Sequence, residues 1–243
     1  MKDFRKTLYG RYVSTLKSEQ LQRNEARVAE FHRIYQHRFF PLLEGCSLQD
    51  PVLELGCGPG YFLEFLRDQG FTQAEGIDIS PEQIQIAKSQ NLKVSVADAR
   101  KFLSRKKLAY NAIVAIDFIE HFSKEELLTL FPLICKALKQ RGILILQTPN
   151  GQGLFPGQVI YGDLTHMTIF AEDSLRQILE MNGFATIRFK ETPPIPDSLD
   201  GMFNLALWKI IRAGTRLVRQ IEAKNSSRLW TENMIAWCTK ADA

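Results

Sequence analysis

From residue 51 onward the chain alternates short apolar runs with helical patterns, and few folds accept that rhythm. The runs are Pro51–Leu55, Ala74–Ile77, Val94–Ala97, Ala112–Ile116 and Gly142–Gln147. Helical periodicity fills the gaps near 60–69, 81–90, 98–105 and 123–140. Near-continuous apolar strands separated by helices call for a parallel sheet covered on both faces. The expected fold is therefore α/β, a doubly wound and mostly parallel sheet. A helix at 171–182 and a strand at 184–190 follow, then a proline-rich break at Thr192–Pro196. The last apolar run, Met234–Thr239, reads as a returning antiparallel edge strand.

Helix punctuation agrees with this division. Ser80-Pro81-Glu82-Gln83 supplies a cap, a proline at the first helical position and a glutamine at the third, and Ser123-Lys124-Glu125-Glu126 repeats the capping box. Gly70, Gly142 and Gly183 stand where the helices should stop. Residues 18–40 form a charged amphipathic helix with Leu21, Val28, Phe31, Ile34 and Tyr35 on one side. The division expected is a helical cap at 1–45 and a single domain at 46–243, with a helical insertion at 201–223 before the last strand.

The segment Glu54-Leu55-Gly56-Cys57-Gly58-Pro59-Gly60 joins the first strand to the first helix. Glycines there let the backbone turn sharply and approach a ligand, while the free N–H groups of the helix start face it. Both dinucleotides and adenosyl sulfonium cofactors use such loops. The Gly-x-Gly-x-Gly spacing displaces the third glycine of the dinucleotide fingerprint, which disfavours an NAD-linked oxidoreductase. Asp78 ends the second strand about 20 residues on, where a carboxylate can accept both ribose hydroxyls. Asp98-Ala99 ends the third, offering a carboxylate and an N–H to an adenine edge.

Three such strand ends together resemble those of the class I S-adenosylmethionine-dependent methyltransferases, over roughly residues 51–190. The resemblance implies a Rossmann-like domain with S-adenosylmethionine as cofactor. It also implies that Glu54, Gly56, Cys57, Gly58 and Gly60 line the methionine and ribose side. Asp78 would take the ribose hydroxyls, Ile79 would cover one adenine face, and Asp98 with Ala99 would read the adenine amine. Asp117, at the end of the fourth strand, completes the cofactor set. A non-enzymatic adenosyl-binding scaffold is the competing reading.

Ligands of doubly wound sheets bind beyond the carboxyl ends of the strands. There the chain places Asp117-Phe118-Ile119-Glu120-His121, then Gln147-Thr148-Pro149-Asn150, then the long segment Gly151–Phe170 with Tyr161-Gly162-Asp163-Leu164-Thr165-His166. A hydroxyl acceptor is barely ionised at neutral pH, so methyl transfer to it gains from a base. His166 and His121 are the catalytic candidates; His32 and His37 read as ordinary helix residues. Asp117, Glu120, His121 and His166 could also gather as metal ligands. The Asp-x-x-Glu-His spacing resembles the metal-binding segment of the ubiquinone-pathway O-methyltransferases and of the small-RNA 3′-end methyltransferases. No metal is expected, because the same spacing occurs in methyltransferases without one.

The run Tyr161–His166, with Phe170, Leu175-Arg176-Gln177-Ile178-Leu179 and Asn182-Gly183-Phe184, looks like bacterial methyltransferases encoded with surface-glycan biosynthesis. So do Tyr12-Val13-Ser14-Thr15 and Thr231-Glu232-Asn233-Met234-Ile235. One departure is Ala171, where a capping Ser or Thr is usual. That likeness implies a glycan or small-molecule acceptor, most simply a sugar hydroxyl. A quinone or phenol comes second and an RNA third.

Charge bears on the partners. Of 31 Lys/Arg and 27 Asp/Glu, residues 1–40 hold nine basic against four acidic and 201–243 seven against three, so basic ends flank an acidic middle. A net charge of +4, without an aromatic-basic surface, gives no case for nucleic acid. Within 202–221, Met202, Phe203, Leu207, Ile210, Ile211, Leu217, Val218 and Ile221 share half the helical wheel, with Lys209, Arg212, Arg216 and Arg219 opposite. The preferred reading is packing on the domain or in a homodimer; the other is peripheral contact with the inner face of the membrane. Four scattered cysteines and a start, Met1-Lys2-Asp3-Phe4-Arg5, without an apolar stretch lead to a cytoplasmic expectation.

Overall fold

The computed structural model describes residues 24–223 and 229–241. Seven strands form one sheet: β1 (Val52–Leu55), β2 (Ala74–Asp78), β3 (Val94–Val96), β4 (Tyr110–Ile116), β5 (Leu138–Pro149), β6 (Phe184–Glu191) and β7 (Asn233–Lys240). Their spatial order is β3-β2-β1-β4-β5-β7-β6, with β7 alone antiparallel. The doubly wound expectation holds. The order reverses between β1 and β4, and that switch point opens the crevice. One detail differs: β7 is not an edge strand, because it lies between β5 and β6. Its run Met234, Ile235, Ala236 is buried on both faces, as an interior position demands.

The helices are α1 (Glu25–Arg38), α2 (Tyr61–Asp68), α3 (Pro81–Ser89), α4 (Ala99–Ser104), α5 (Lys124–Ala137), α6 (Pro156–Tyr161), α7 (Glu172–Met181) and α8 (Leu199–Ala223). Strand residues alternate between the two faces. Leu53, Leu55, Ile113 and Ala115 meet α5 and α7 through Leu127, Phe131, Leu175 and Leu179. Val52, Ala112, Val114 and Ile145 meet α1 and α2 through Tyr35, Phe39, Phe62 and Phe65. The amphipathic helix thus caps the sheet where the description begins, at its N-cap Asn24, whose side chain accepts from Arg27 N–H at 2.8 Å. Residues 18–23 and Tyr12–Thr15 lie outside the described residues.

Two boundaries moved. The helix expected to reach 140 stops at Ala137, and Leu138 is already paired with Tyr110 in the sheet, four residues before Gly142. Ala171 begins α7 without a capping side chain of its own, yet Ser174 Oγ accepts from its N–H at 2.9 Å. That supplies the returning half of a capping box.

α8 overturns the preference for packing on the domain. None of its 25 residues is buried. The less exposed positions, Leu205, Trp208, Arg212 and Arg219, share one face, held by Arg212 Nε on Glu191 Oε2 at 3.1 Å. The apolar half of the wheel points the other way, with Ile210 69% and Ile221 77% exposed. Among the described residues, no helix is long and apolar enough to cross a membrane.

Candidate active site

β1 delivers the chain into a loop that only glycine can close. Gly56 has φ +70°, and a Cβ there would stand 2.6 Å from the Phe118 ring. Gly60 caps α2 at φ +87°, where a Cβ would meet Leu92 at 2.5 Å and Ala87 at 3.1 Å. A side chain at either position would be strained by backbone and by contact alike. Gly56 and Cys57 N–H groups donate to Ile77 O at 2.8 and 3.0 Å, fastening the loop to β2. The Cys57 side chain is turned into a small core with Leu63 and Ile84, so only its backbone can serve a ligand.

Asp78 ends β2 and grips two neighbours. Its Oδ2 accepts from Gly58 N–H at 3.0 Å and its Oδ1 from Ser80 N–H at 2.8 Å. A half-buried carboxylate thus ties the glycine loop to the N-terminus of α3. Ile79 beside it is 49% exposed, an apolar side chain left at the rim. Asp98 caps α4 through Lys101 N–H at 3.0 Å and lies 3.6 Å from the Arg100 guanidinium, with buried Ala99 next to it.

Glu54 stands near the end of β1, just before the glycine loop. It is buried, its Oε2 has no partner, and desolvation followed by the Asp78 charge pushes its carboxyl well above the usual range. An orphaned buried carboxylate beside a glycine cradle fits a cationic ligand. Tyr35, reaching in from α1, is also held protonated, by burial first and then by the charges of Glu54 and Asp117.

Asp117 closes β4 with φ +50°, a left-handed conformation rare outside glycine that Asp tolerates better than most residues. Its Oδ1 accepts from Gln147 Nε2 at 3.0 Å. The next turn presents Glu120 and His121. Glu120 is fully buried; its Oε2 accepts from the Thr148 hydroxyl at 3.1 Å, and its Oε1 has no partner. Its backbone carbonyl takes Met167 and Thr168 N–H groups at 2.8 and 3.1 Å, pinning the long loop beneath it.

That loop brings His166 to His121, with ring centroids 5.0 Å apart. The Thr165 hydroxyl donates to Asp163 Oδ1 at 2.6 Å, so His121 Nδ1–H donates to Thr165 Oγ1 at 2.9 Å. His166 Nδ1–H donates to Ile160 O at 3.3 Å. These partners leave Nε2 as the basic nitrogen of each ring. One ligand atom from each of Glu120, His121 and His166 lies within 4.8 Å of the others. Asp117, grouped with them on sequence, stands outside this cluster. Asn150 serves the fold instead, donating to Leu229 O and Thr231 O at 3.1 and 3.0 Å.

The sequence places Tyr35 only on the apolar side of its helix, and Gln147, Thr148 and Thr165 only within segments beyond the strand ends. Their individual roles come from partners distant in sequence: Asp117 for Gln147, Glu120 for Thr148 and His121 for Thr165.

A family described as a methyltransferase domain matches residues 18–188, which takes in the glycine loop, the three aspartate-bearing strand ends and the histidine pair. The chain belongs to this methyltransferase family. It is an enzyme whose methyl donor is S-adenosylmethionine. Among solved structures, a SAM-dependent methyltransferase from Archaeoglobus fulgidus superposes with a TM-score of 0.66 at 22% identity, over 87% of this chain and 94% of that one. Magnesium protoporphyrin IX methyltransferase from Synechocystis PCC 6803, determined with bound SAM, gives 0.61 at 16% identity, over 97% of each chain. At such identities they share this methyltransferase's fold. An uncharacterized protein, MJ1252 of Methanocaldococcus jannaschii, is 29% identical over 126 residues, 49% of this chain and 47% of its own length. The match thus spans about half of that relative.

Proposed function

We propose that this methyltransferase transfers the methyl group to a hydroxyl oxygen, that of a sugar in a surface glycan. The observation that carries the oxygen is the pair of imidazoles, each with Nδ1 engaged, gathered over a buried carboxylate at the carboxyl ends of β4 and β5. The sugar rests on the resemblance of Tyr161–His166 and Thr231–Ile235 to glycan-associated enzymes. Bound S-adenosylmethionine supplies a methyl group already activated for displacement.

In this reading Gly56, Gly58, Gly60 and the Cys57 backbone cradle the methionine end, and the Glu54 carboxylate compensates its positive charge. Asp78 accepts from the ribose hydroxyls while keeping its grip on the loop, and Asp117 borders the sulfonium side. Ile79 covers the adenine, whose amine is read by Asp98 and Ala99. His166 Nε2 would take the acceptor hydroxyl's proton; the oxygen would gain the methyl group as the sulfur–carbon bond breaks, and S-adenosylhomocysteine would leave. His121, anchored through Thr165 to Asp163, orients the acceptor beside it. Positioning can contribute about 7–11 kcal/mol and a base about 10²–10⁴-fold, so alignment dominates.

The test is transfer of labelled methyl groups to sugar nucleotides, lipid-linked glycans, catechols and RNA. Methylated sugar alone supports the reading; preference for a phenol or RNA overturns the acceptor but not the family.

A second reading is favoured by the proximity of Glu120, His121 and His166. A divalent cation seated there would lower the acceptor's pKa in place of a base. Activity lost on chelation and restored by magnesium or manganese supports it; full activity in excess chelator excludes it.

A further inference from the structure

We propose that α8 is the docking surface of this enzyme for an anionic membrane, on which it lies flat. The helix has 25 residues, about 37 Å of length, and its apolar half faces away from the side anchored by Arg212 and Glu191. Phe203, Leu207, Ile210, Leu217, Val218 and Ile221 therefore lie exposed along one side, each at least 42% accessible, with Ala213 and Gly214 between the two groups. Isolated exposed apolar residues are ordinary on protein surfaces, but a strip of this length is not.

Two features favour a lipid surface over a second copy of the chain. The strip spans half of the wheel, whereas a two-stranded helical seam needs only a narrow line and would leave its flanks wet. Its border carries the exposed cations Lys209 and Arg216 on one side, placed to meet phosphates while the apolar residues enter the acyl boundary. These charges, with Arg212, Arg219 and Glu222, also explain why the helix would lie in the interface rather than span it.

Topology gives the docking a consequence. β6 runs parallel to β5, and β7 returns antiparallel, with Glu191 opposite Met234 and Pro149 opposite Asn233. The connection carrying α8 therefore leaves and re-enters the sheet at the edge where β1, β4 and β5 end. That is the edge of the cofactor crevice. A membrane beneath α8 lies on the acceptor's side of the enzyme, where a lipid-linked substrate would present its head group. Docking itself does not depend on which acceptor is used.

The experiment is flotation of the full chain with phosphatidylcholine vesicles, with and without phosphatidylglycerol, alongside its mass by light scattering. We expect co-flotation with the phosphatidylglycerol vesicles only, weakened by added salt. K209Q/R216Q should bind about 30-fold more weakly, at the usual contribution of a basic residue near an anionic surface. I210E/L217E, whose substitutions are exposed and should leave the melting curve unchanged, should not float. A folded wild-type chain that stays at the bottom overturns the proposal, as does flotation untouched by I210E/L217E. A solution dimer that this variant dissociates, without flotation, would assign the strip to a second copy. Because no acceptor enters the assay, failure here leaves the sugar reading intact, and an inactive enzyme would still float.

Discussion

Replacing Asp78 with alanine removes the carboxylate that joins the glycine loop to α3, and the size of the effect follows from its contacts. Each oxygen already accepts one backbone N–H, at 3.0 Å from Gly58 and 2.8 Å from Ser80. A carboxylate oxygen can accept more than one hydrogen bond, so ribose hydroxyls can join these contacts. A hydrogen bond to a charged group contributes about 1.5–3 kcal/mol net. Two such bonds to ligand therefore contribute about 3–6 kcal/mol, of which water filling the space recovers a part. We expect Asp78→Ala to weaken S-adenosylhomocysteine binding about 100- to 1,000-fold in titration calorimetry. Asp78→Asn, which keeps one acceptor oxygen, should fall between the variant and the wild type. Releasing two half-buried N–H groups should cost about 1–3 kcal/mol of stability, a lowering of Tm by about 2–10 °C for a domain of this size. The protein remains folded and measurable. Binding within about threefold of the wild type would refute the assigned role.

His166→Ala should leave S-adenosylhomocysteine affinity unchanged and lower kcat by about 10²–10⁴-fold in a methyl-transfer assay; wild-type turnover would remove it as the base. Gly56→Ala places a Cβ at φ +70° and 2.6 Å from Phe118, so chemical denaturation should show a loss of at least about 1–2 kcal/mol. Glu54 has a folded pKa raised by burial and by Asp78, so its contribution to stability is full at low pH and is lost as pH rises above the ordinary carboxylate range. Glu54→Gln should accordingly flatten the decline of Tm with rising pH, and a decline as steep as the wild type's would contradict it. The cationic donor favours the ionised carboxylate, so it should bind more tightly as pH rises through the same range, a trend absent in the variant.

Much of this enzyme could be read along the chain because its signals are local. Strand and helix alternate, Ser80 and Ser123 cap where their side chains can reach, and the glycines of 56–60 sit where backbone geometry leaves no alternative. The end of α5 was misread because Lys139-Gln140-Arg141-Gly142 has the polarity of a helix terminus; the pairing of Leu138 with Tyr110 outweighs that preference. The interior place of β7 is likewise a fact of neighbours, not of its own residues. His121 and His166 were recognisable as candidates, but the anchoring of His121 on Thr165 and of Glu120 on Thr148 arises only when distant segments fold together. For α8 the periodicity defined the apolar strip but carried no information on its direction. The Arg212–Glu191 pair and the less exposed face around it fix that.

The most direct test of the central claim is a crystal structure of the enzyme with S-adenosylhomocysteine. The account predicts ribose hydroxyls on Asp78, adenine between Ile79 and Asp98-Ala99, and the sulfur directed toward His166. A ligand bound elsewhere, or a sulfur turned away from the histidine pair, would contradict it.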